Sequence, residues 1–236
     1  MSECLFCRNA YKDVPSWFSV LLNQKREPIC ERCLSQLKPL EGNRCQICSR
    51  QLMETNRFKD VCFDCYRWEQ QSATRLLLNE NHSLYHYNGF MKELLATYKY
   101  RGDAMMATFF APKLLALYEK KFRGFQVMSI PLSQERLQER TFNQTELLLQ
   151  NWPQDCICLH LKRKNREKQS KKTRQNRIRS FGDNPFELDA NIFLAEKLNK
   201  IVLVDDIYTT GTTLRQAAKT LKQAGAKQVV SLTIAR

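Results

Sequence analysis

Between Asp205 and Thr213 the chain reads Asp-Asp-Ile-Tyr-Thr-Thr-Gly-Thr-Thr. A dense apolar run, Ile201-Val-Leu-Val204, precedes it, of the kind found in buried parallel strands. An amphipathic segment over 214–224 follows, with Leu214, Ala217, Ala218 and Leu221 on one face and Gly225 as its stop. Strand, turn and helix in that order bring free backbone N–H groups and the positive end of a helix dipole to the turn, where an anion can sit. Gly211 lets the backbone approach that anion closely. The hydroxyls of Thr209, Thr210, Thr212 and Thr213 add donors. Asp205 and Asp206 would repel a phosphate, but they can accept hydrogen bonds from ribose hydroxyls. The combination describes a cradle for ribose 5-phosphate at the carboxyl end of a parallel strand. It is not a Walker A loop, because Gly-x₄-Gly-Lys is missing. The plainer alternative, acids ending a strand and threonines capping a helix, leaves many functional groups at one strand end without a use.

The second chemical constellation is cysteine. Eight of the ten cysteines form four Cys-x-x-Cys pairs: Cys4/Cys7, Cys30/Cys33, Cys45/Cys48 and Cys62/Cys65. Two intervening residues let both thiolates of a tight turn face one ion, and two such turns complete a tetrahedral S₄ site suited to Zn²⁺. Two structural zinc ions are therefore expected. Sequential pairing is favoured over cross-braced pairing, but both stay open. Disulfides are disfavoured by the absence of a secretion signal, and redox pairs would not come four at a time. Withdrawing the metal is expected to unfold the N-terminal segment before residues 83–236. Cys156 and Cys158 lie two apart on an expected strand and read as core residues.

Charge gives a third signal. Lys plus Arg is 38 and Asp plus Glu is 24, a net charge of +14. Residues 162–179 alone hold ten basic residues and one acid. Such clustering is the footprint of a polyanion binder, though a solvated loop would look the same. Arg163, Lys164, Arg166, Lys168, Lys171 and Lys172 are its candidate phosphate contacts.

Positioning these groups requires a scaffold. No apolar run approaches the roughly 20 residues of a membrane-spanning helix. The start, Met-Ser-Glu-Cys, carries neither a basic nor an apolar leader, so a cytoplasmic protein is expected. Composition divides the chain into a cysteine-rich module, 1–70, and an alternating strand and helix domain, 83–236, with 68–82 as connector. Strands are expected at 83–87, 126–130, 156–161, 200–205 and 229–234, and a weak one at 186–194. Helices are expected at 89–101, at 104–121, from Ser133 to about 151, and at 214–224. Strands alternating with helices predict an α/β domain with a mainly parallel sheet.

The apolar run, Asp-Asp and Thr-Thr-Gly-Thr-Thr resemble the PRPP-binding motif of type I phosphoribosyltransferases. Nearly the whole chain resembles the ComF family, bacterial proteins linked to DNA uptake in natural transformation. Tyr87-x-Gly89 through Lys99-Tyr-Arg-Gly-Asp103 is similar to that family's lead-in to the transferase domain. Pro131-Leu-Ser133, then Arg136, Arg140, Phe142, Asn143 and Gln144, resemble its Pro-x-Pro, Arg, Arg-Gly-Phe-Asn-Gln signature. The four cysteine pairs resemble its double zinc ribbon. Thr141 stands where the family usually has Gly, and Ser129 where its first Pro is common.

The resemblance implies a type I phosphoribosyltransferase-like parallel sheet flanked by helices, behind an N-terminal zinc-ribbon module. It implies PRPP, with Mg²⁺, held by Asp205, Asp206, Thr209, Thr210, Gly211, Thr212 and Thr213. The diphosphate would lie on Pro131, Leu132 and Ser133, and the 162–179 stretch would close over the site or follow a DNA backbone. Single-stranded DNA is the implied partner, with competence-machinery proteins such as a DNA helicase. Arg136 and Arg140, four apart on one helical face, are candidate contacts, unless they pair with Glu135 and Glu139. Two functions remain: a competence factor that binds PRPP and single-stranded DNA, or an active phosphoribosyltransferase. No element identifies an acceptor, so no catalytic residue is assigned.

Overall fold

The structure, a computed structural model, describes residues 2–12, 28–100, 105–153, 161–163, 184–188 and 199–236. Cys156 and Cys158, the expected strand segments 156–160 and 189–194, Arg101, Gly102 and Asp103, and the basic residues Lys164, Arg166, Lys168, Lys171 and Lys172 lie outside the described residues.

In the cysteine-rich segment, β1 (Ser2–Glu3) and β2 (Ala10–Tyr11) pair antiparallel around the first Cys-x-x-Cys turn, and the helix Glu31–Gln36 carries Cys33. β3 (Arg57–Phe58) and β4 (Val61–Cys62) also pair antiparallel, and the helix Phe63–Gln70 carries Cys65 and Trp68. There follow β5 (Asn81–Tyr85), the helices Gly89–Tyr100 and Met106–Lys121, β6 (Gln126–Ser129), and the short helices Gln134–Arg140 and Gln144–Leu147. The chain closes with β7 (Leu161–Arg163), β8 (Phe186–Leu188), β9 (Lys200–Ile207), the helix Thr212–Gln223 and β10 (Gln228–Ala235).

Four strands form one parallel sheet in the order β5-β10-β9-β6. Ile201, Val202, Leu203 and Val204 are all fully buried, as a central strand covered on both faces requires. The two-residue alternation of a strand then splits them. Val202 and Val204 join one core with Met91, Leu95, Phe110 and Leu114 of the helices Gly89–Tyr100 and Met106–Lys121. Ile201 and Leu203 join a second core with Leu214, Ala217, Ala218 and Leu221 of the helix Thr212–Gln223. The expected α/β architecture, a parallel sheet flanked by helices, is present. Among the described residues no helix is long and apolar enough to cross a membrane.

The cysteine-rich segment is built into both cores. Cys4, Cys33 and Leu37 belong to the first, and Cys45, Cys48, Cys62 and Cys65 to the second. The stretch between the tetrads runs along β5 at the sheet's edge, with Leu40 N–H donating to Leu84 O (3.3 Å) and His86 N–H to Lys38 O (2.8 Å), and within the second tetrad Ile47 O accepts from Asn81 N–H (2.7 Å). An edge strand whose polar backbone is covered cannot template further pairing.

Two expectations are corrected. The helix expected from Ser133 to about 151 is two helices. Ser133 does cap its start, accepting from Arg136 N–H at 3.4 Å, but Thr141 turns left-handed (φ 64°, ψ −14°) and Asn143 caps a new helix. Of the strands expected at 156–161 and 186–194, the described residues Leu161–Arg163 and Phe186–Leu188 do not join the parallel sheet: β7 and β8 pair antiparallel as a separate ribbon, with Lys162 opposite Glu187. Thr141 also accounts for the Gly usual at this position in the ComF family. A left-handed backbone costs a β-branched residue about 1–2 kcal/mol. Thr141→Gly is therefore expected to stabilise the protein by about 1 kcal/mol, raising Tm by roughly 2–4 °C in a thermal melt.

Candidate phosphate loop and metal centres

β6 ends beside β9. Ser129 is in register with Val204, and Ile130 N–H donates to Val204 O (2.9 Å). The loop through Pro131, Leu132 and Ser133 thus leaves the sheet next to Asp205 and Asp206, at the carboxyl ends of adjacent parallel strands. That is where ligands bind in open α/β sheets. The stretch from Arg140 to Thr145 holds this loop: Thr145 Oγ1 donates to Ile130 O (2.7 Å) and Asn143 Nδ2 to the same oxygen (3.4 Å). Arg140 Nη1 donates to Gln144 Oε1 (3.1 Å), and Tyr98 Oη to Gln144 O (2.7 Å). Burial, with a smaller contribution from the Asp206 charge, pushes the Tyr98 phenol up, so it stays a donor. Arg136 is exposed, and no ion pair joins it to Glu135 or Glu139 among the described residues.

Asp206 is buried and Asp205 half-buried at the end of β9, with Asp205 Oδ1 accepting the Asp206 amide at 2.9 Å. The turn that follows has every carbonyl tied down. Arg236 Nη1 donates to Tyr208 O (3.3 Å) and Thr209 O (2.9 Å), Trp68 Nε1 to Thr210 O (3.0 Å), and Arg215 N–H to Gly211 O (3.0 Å). In a trans peptide the N–H points opposite to the C=O of the same unit. Fixing the carbonyls of 208, 209 and 210 therefore turns the amides of Thr209, Thr210 and Gly211 to the other side. Among the described residues those amides, and that of Thr213, have no acceptor. Successive free amides ahead of a helix form an anion-binding concavity. The threonines divide by role. Thr210 and Thr212 hydroxyls bond each other (2.9 Å), while those of Thr209 and Thr213 are unengaged among the described residues. Gly211 adopts φ 77°, and a methyl there would overlap Tyr208 Oη and Arg215 Nη1.

The eight cysteines gather as Cys4, Cys7, Cys30 and Cys33, and as Cys45, Cys48, Cys62 and Cys65, the sequential pairing. Within each tetrad all Sγ atoms lie within 4.8 Å of one another. Cys7 and Cys30 sulfurs are 3.8 Å apart, and those of Cys48 and Cys62 3.6 Å. A thiolate tetrahedron around zinc has edges of about 3.8 Å, so the donor sets fit. The amide of Cys30 donates to Cys4 Sγ and that of Cys62 to Cys45 Sγ, each at 3.3 Å. Hydrogen bonding from Cys48 holds the Cys45 thiol down at about 6, and bonding from Cys45 holds Cys62 at about 7. The same sharing pushes Cys65 up. Both groups can hold a metal ion, and four ligands leave no position open for catalysis.

Comparison with known proteins agrees with this construction. The phosphoribosyl transferase domain family matches residues 158–236, the part that carries β9, the turn and its helix. Competence protein ComFC of Bacillus subtilis (strain 168) is 37% identical over 242 residues, covering 99% of this chain and 94% of that protein. The chain belongs to the ComFC family. Competence protein ComFC of Streptococcus pneumoniae (strain ATCC BAA-255 / R6) is 31% identical over 236 residues, covering 99% of this chain and all of that relative.

Sequence reasoning about this ComFC-family chain missed three side chains that shape the turn: Trp68, Arg215 and Arg236. Trp68 lies in a segment that reads as connector, yet it is buried one helical turn after Cys65. Arg215 was legible as an anomaly, a charge set beside the apolar stripe of Leu214, Ala217 and Ala218. It is fully buried, with its guanidinium 5.1 Å from the centre of the Trp68 ring and its Nη1 donating to Tyr208 Oη (2.6 Å). Of the basic residues described, Lys162 and Arg163 stand at the ribbon β7–β8, with Arg163 over the Phe186 ring at 5.4 Å.

Proposed function

We propose that this protein is a cytoplasmic competence factor that binds PRPP, as its Mg²⁺ complex, and single-stranded DNA, with structural zinc in both tetrathiolate groups. The observation that carries the PRPP reading is the turn 208–213: directly after two carboxylates come tied carbonyls, the amides of Thr209, Thr210, Gly211 and Thr213, and the hydroxyls of Thr209 and Thr213, none of these amides and hydroxyls engaged among the described residues. The 5′-phosphate takes the amides with Thr209 and Thr213, the ribose hydroxyls bond Asp205 and Asp206, and the diphosphate lies along Pro131, Leu132 and Ser133. The repulsion between carboxylate and phosphate orders the ligand, sugar toward the strand end and anion toward the helix. Single-stranded DNA is supported by the basic excess, by exposed Arg136 and by the 162–179 stretch, and the relatives named as competence proteins favour the same role. A DNA helicase or another part of the DNA-uptake machinery is the protein partner this role implies. The transferase domain match favours a second reading, transfer of the phosphoribosyl group with release of pyrophosphate.

The test is calorimetry of one preparation with PRPP/Mg²⁺ and with single-stranded DNA. Asp205→Asn with Asp206→Asn is expected to weaken PRPP binding by roughly ten- to a hundredfold for each charge-assisted bond lost, each worth about 1.5–3 kcal/mol. The fold should persist, because Asn fills the same space. DNA affinity should be unchanged in that variant and should fall steeply with salt as counterions are released. PRPP binding by the double variant at parental strength would reduce the turn to a helix start. Pyrophosphate release in the presence of an acceptor would establish the transferase reading.

A further inference from the structure

The second tetrathiolate group touches the side of the phosphate turn opposite to the free amides. Arg236 Nη2 donates to Cys48 Sγ at 3.3 Å, while its Nη1 holds the carbonyls of Tyr208 and Thr209. Its guanidinium also lies over the Tyr208 ring, 4.7 Å from the centroid. The backbone of Arg236 is fixed on both sides: its N–H donates to Tyr85 O and its carbonyl accepts from Tyr87 N–H, each at 3.0 Å. Trp68, one helical turn beyond Cys65, supplies the donor for Thr210 O. Three consecutive carbonyls of the turn are thus held by two side chains anchored at this tetrad.

Charge gives the arrangement a reason. Four thiolates around a divalent cation leave two negative charges in a buried place, where charge must be matched. One guanidinium is bonded to this group directly, Arg236 on Cys48, and a second, fully buried Arg215, lies over the Trp68 ring one helical turn from Cys65. If the thiolate charge is lost, Arg236 loses the partner that holds one edge of its guanidinium, and its grip on the turn goes with it.

We propose that Arg236 and Trp68 are positioning residues that couple the metal group Cys45/Cys48/Cys62/Cys65 to the phosphate turn. Metal occupancy of this group sets how well the turn is ordered for an anion, and an anion on the turn is felt at Cys48. Coupling of this kind is reciprocal by linkage. The group Cys4/Cys7/Cys30/Cys33, which packs in the other core, does not share it. The proposal rests on the reading that the turn binds a phosphate ester, and its first test does not require that ligand.

Hydrogen exchange of the bonded amides that flank the turn, Tyr208 N–H on Ala235 O (3.0 Å) and Arg215 N–H on Gly211 O (3.0 Å), is measured in the zinc-loaded protein, in Arg236→Gln, in Arg236→Lys and in Trp68→Phe, each shown by elemental analysis to hold two zinc ions. Phe keeps an aromatic ring beside Arg215 and loses the N–H donor together with part of the buried indole's volume. Exchange is expected to speed roughly tenfold or more in Arg236→Gln and Trp68→Phe, with partial recovery in Arg236→Lys, which keeps charge but cannot bridge three acceptors. Unchanged exchange in both Arg236→Gln and Trp68→Phe overturns the coupling, whatever the turn binds. The second arm uses cobalt-loaded protein. Adding PRPP/Mg²⁺ is expected to shift the sulfur-to-cobalt absorption, and Arg236→Gln to abolish that shift. If calorimetry shows binding but the absorption does not move, the proposal fails. If PRPP does not bind the parent protein, the PRPP reading fails, and the exchange arm alone decides the coupling.

Discussion

Gly211→Ala is expected to abolish PRPP binding and to destabilise the protein by roughly 3–5 kcal/mol. Two costs add. A left-handed residue with a side chain costs about 1–2 kcal/mol, and Gly211 sits at φ 77°. The added methyl also overlaps Tyr208 Oη and Arg215 Nη1, two groups bonded to each other at 2.6 Å. Neither has room to retreat. Tyr208 is 2% exposed beneath Arg236, and Arg215 is fully buried against Trp68. Parting a buried guanidinium from its hydrogen-bond partner costs about 1.5–3 kcal/mol. Gly225 supplies the control. It has φ 107° but open space where a methyl would go, so Gly225→Ala should cost only the backbone strain. Chemical denaturation of both variants checks this. A difference between them of under about 1 kcal/mol would mean that Tyr208 and Arg215 yield freely, and that the turn is softer than its hydrogen bonds imply.

The sheet and the turn were legible because they depend on local pattern. Ile201-Val-Leu-Val204 is apolar on both faces, and the apolar spacing from Leu214 to Leu221 has the helical period. The cysteine tetrads were legible because Cys-x-x-Cys geometry is also local. What the sequence concealed depends on distance along the chain. Trp68 bonds Thr210 across 142 residues, and Arg236 bonds Cys48 across 188. Nothing in the types or spacing of these residues marks them as neighbours. The helix from Ser133 was misjudged for a different reason. Its periodicity continues through residue 141, but Asn143 competes for the backbone as a cap, accepting from Thr145 N–H at 3.2 Å. The pairing of β7 with β8 was not legible, because three alternating residues look alike whether they pair in a parallel sheet or in an antiparallel ribbon.

Removing both metal ions is expected to unfold the whole protein cooperatively rather than to strip off its first 70 residues. The cysteine spacing alone suggests the second outcome, since a small module stapled by metal should fail first. The packing argues otherwise. Cys4 and Cys33 share a core with Met91, Phe110 and Val204, and Cys45, Cys48, Cys62 and Cys65 share the other with Leu203, Leu214 and Ala217. The segment between the tetrads also covers the edge strand β5. Structural zinc contributes about 10–16 kcal/mol of binding free energy in small thiolate domains, and that energy is folding energy. A domain's whole stability is about 5–15 kcal/mol. Withdrawing two such ions removes more than the sheet has in reserve, and it strands buried thiols on both of its faces. A chelator titration followed by hydrogen exchange of β9 and β10 distinguishes the cases. Loss of protection in those central strands in step with zinc release is the expected result. Central strands that keep their protection after both ions have left would show that the sheet stands on its own helices, with the cysteine-rich segment only resting on it.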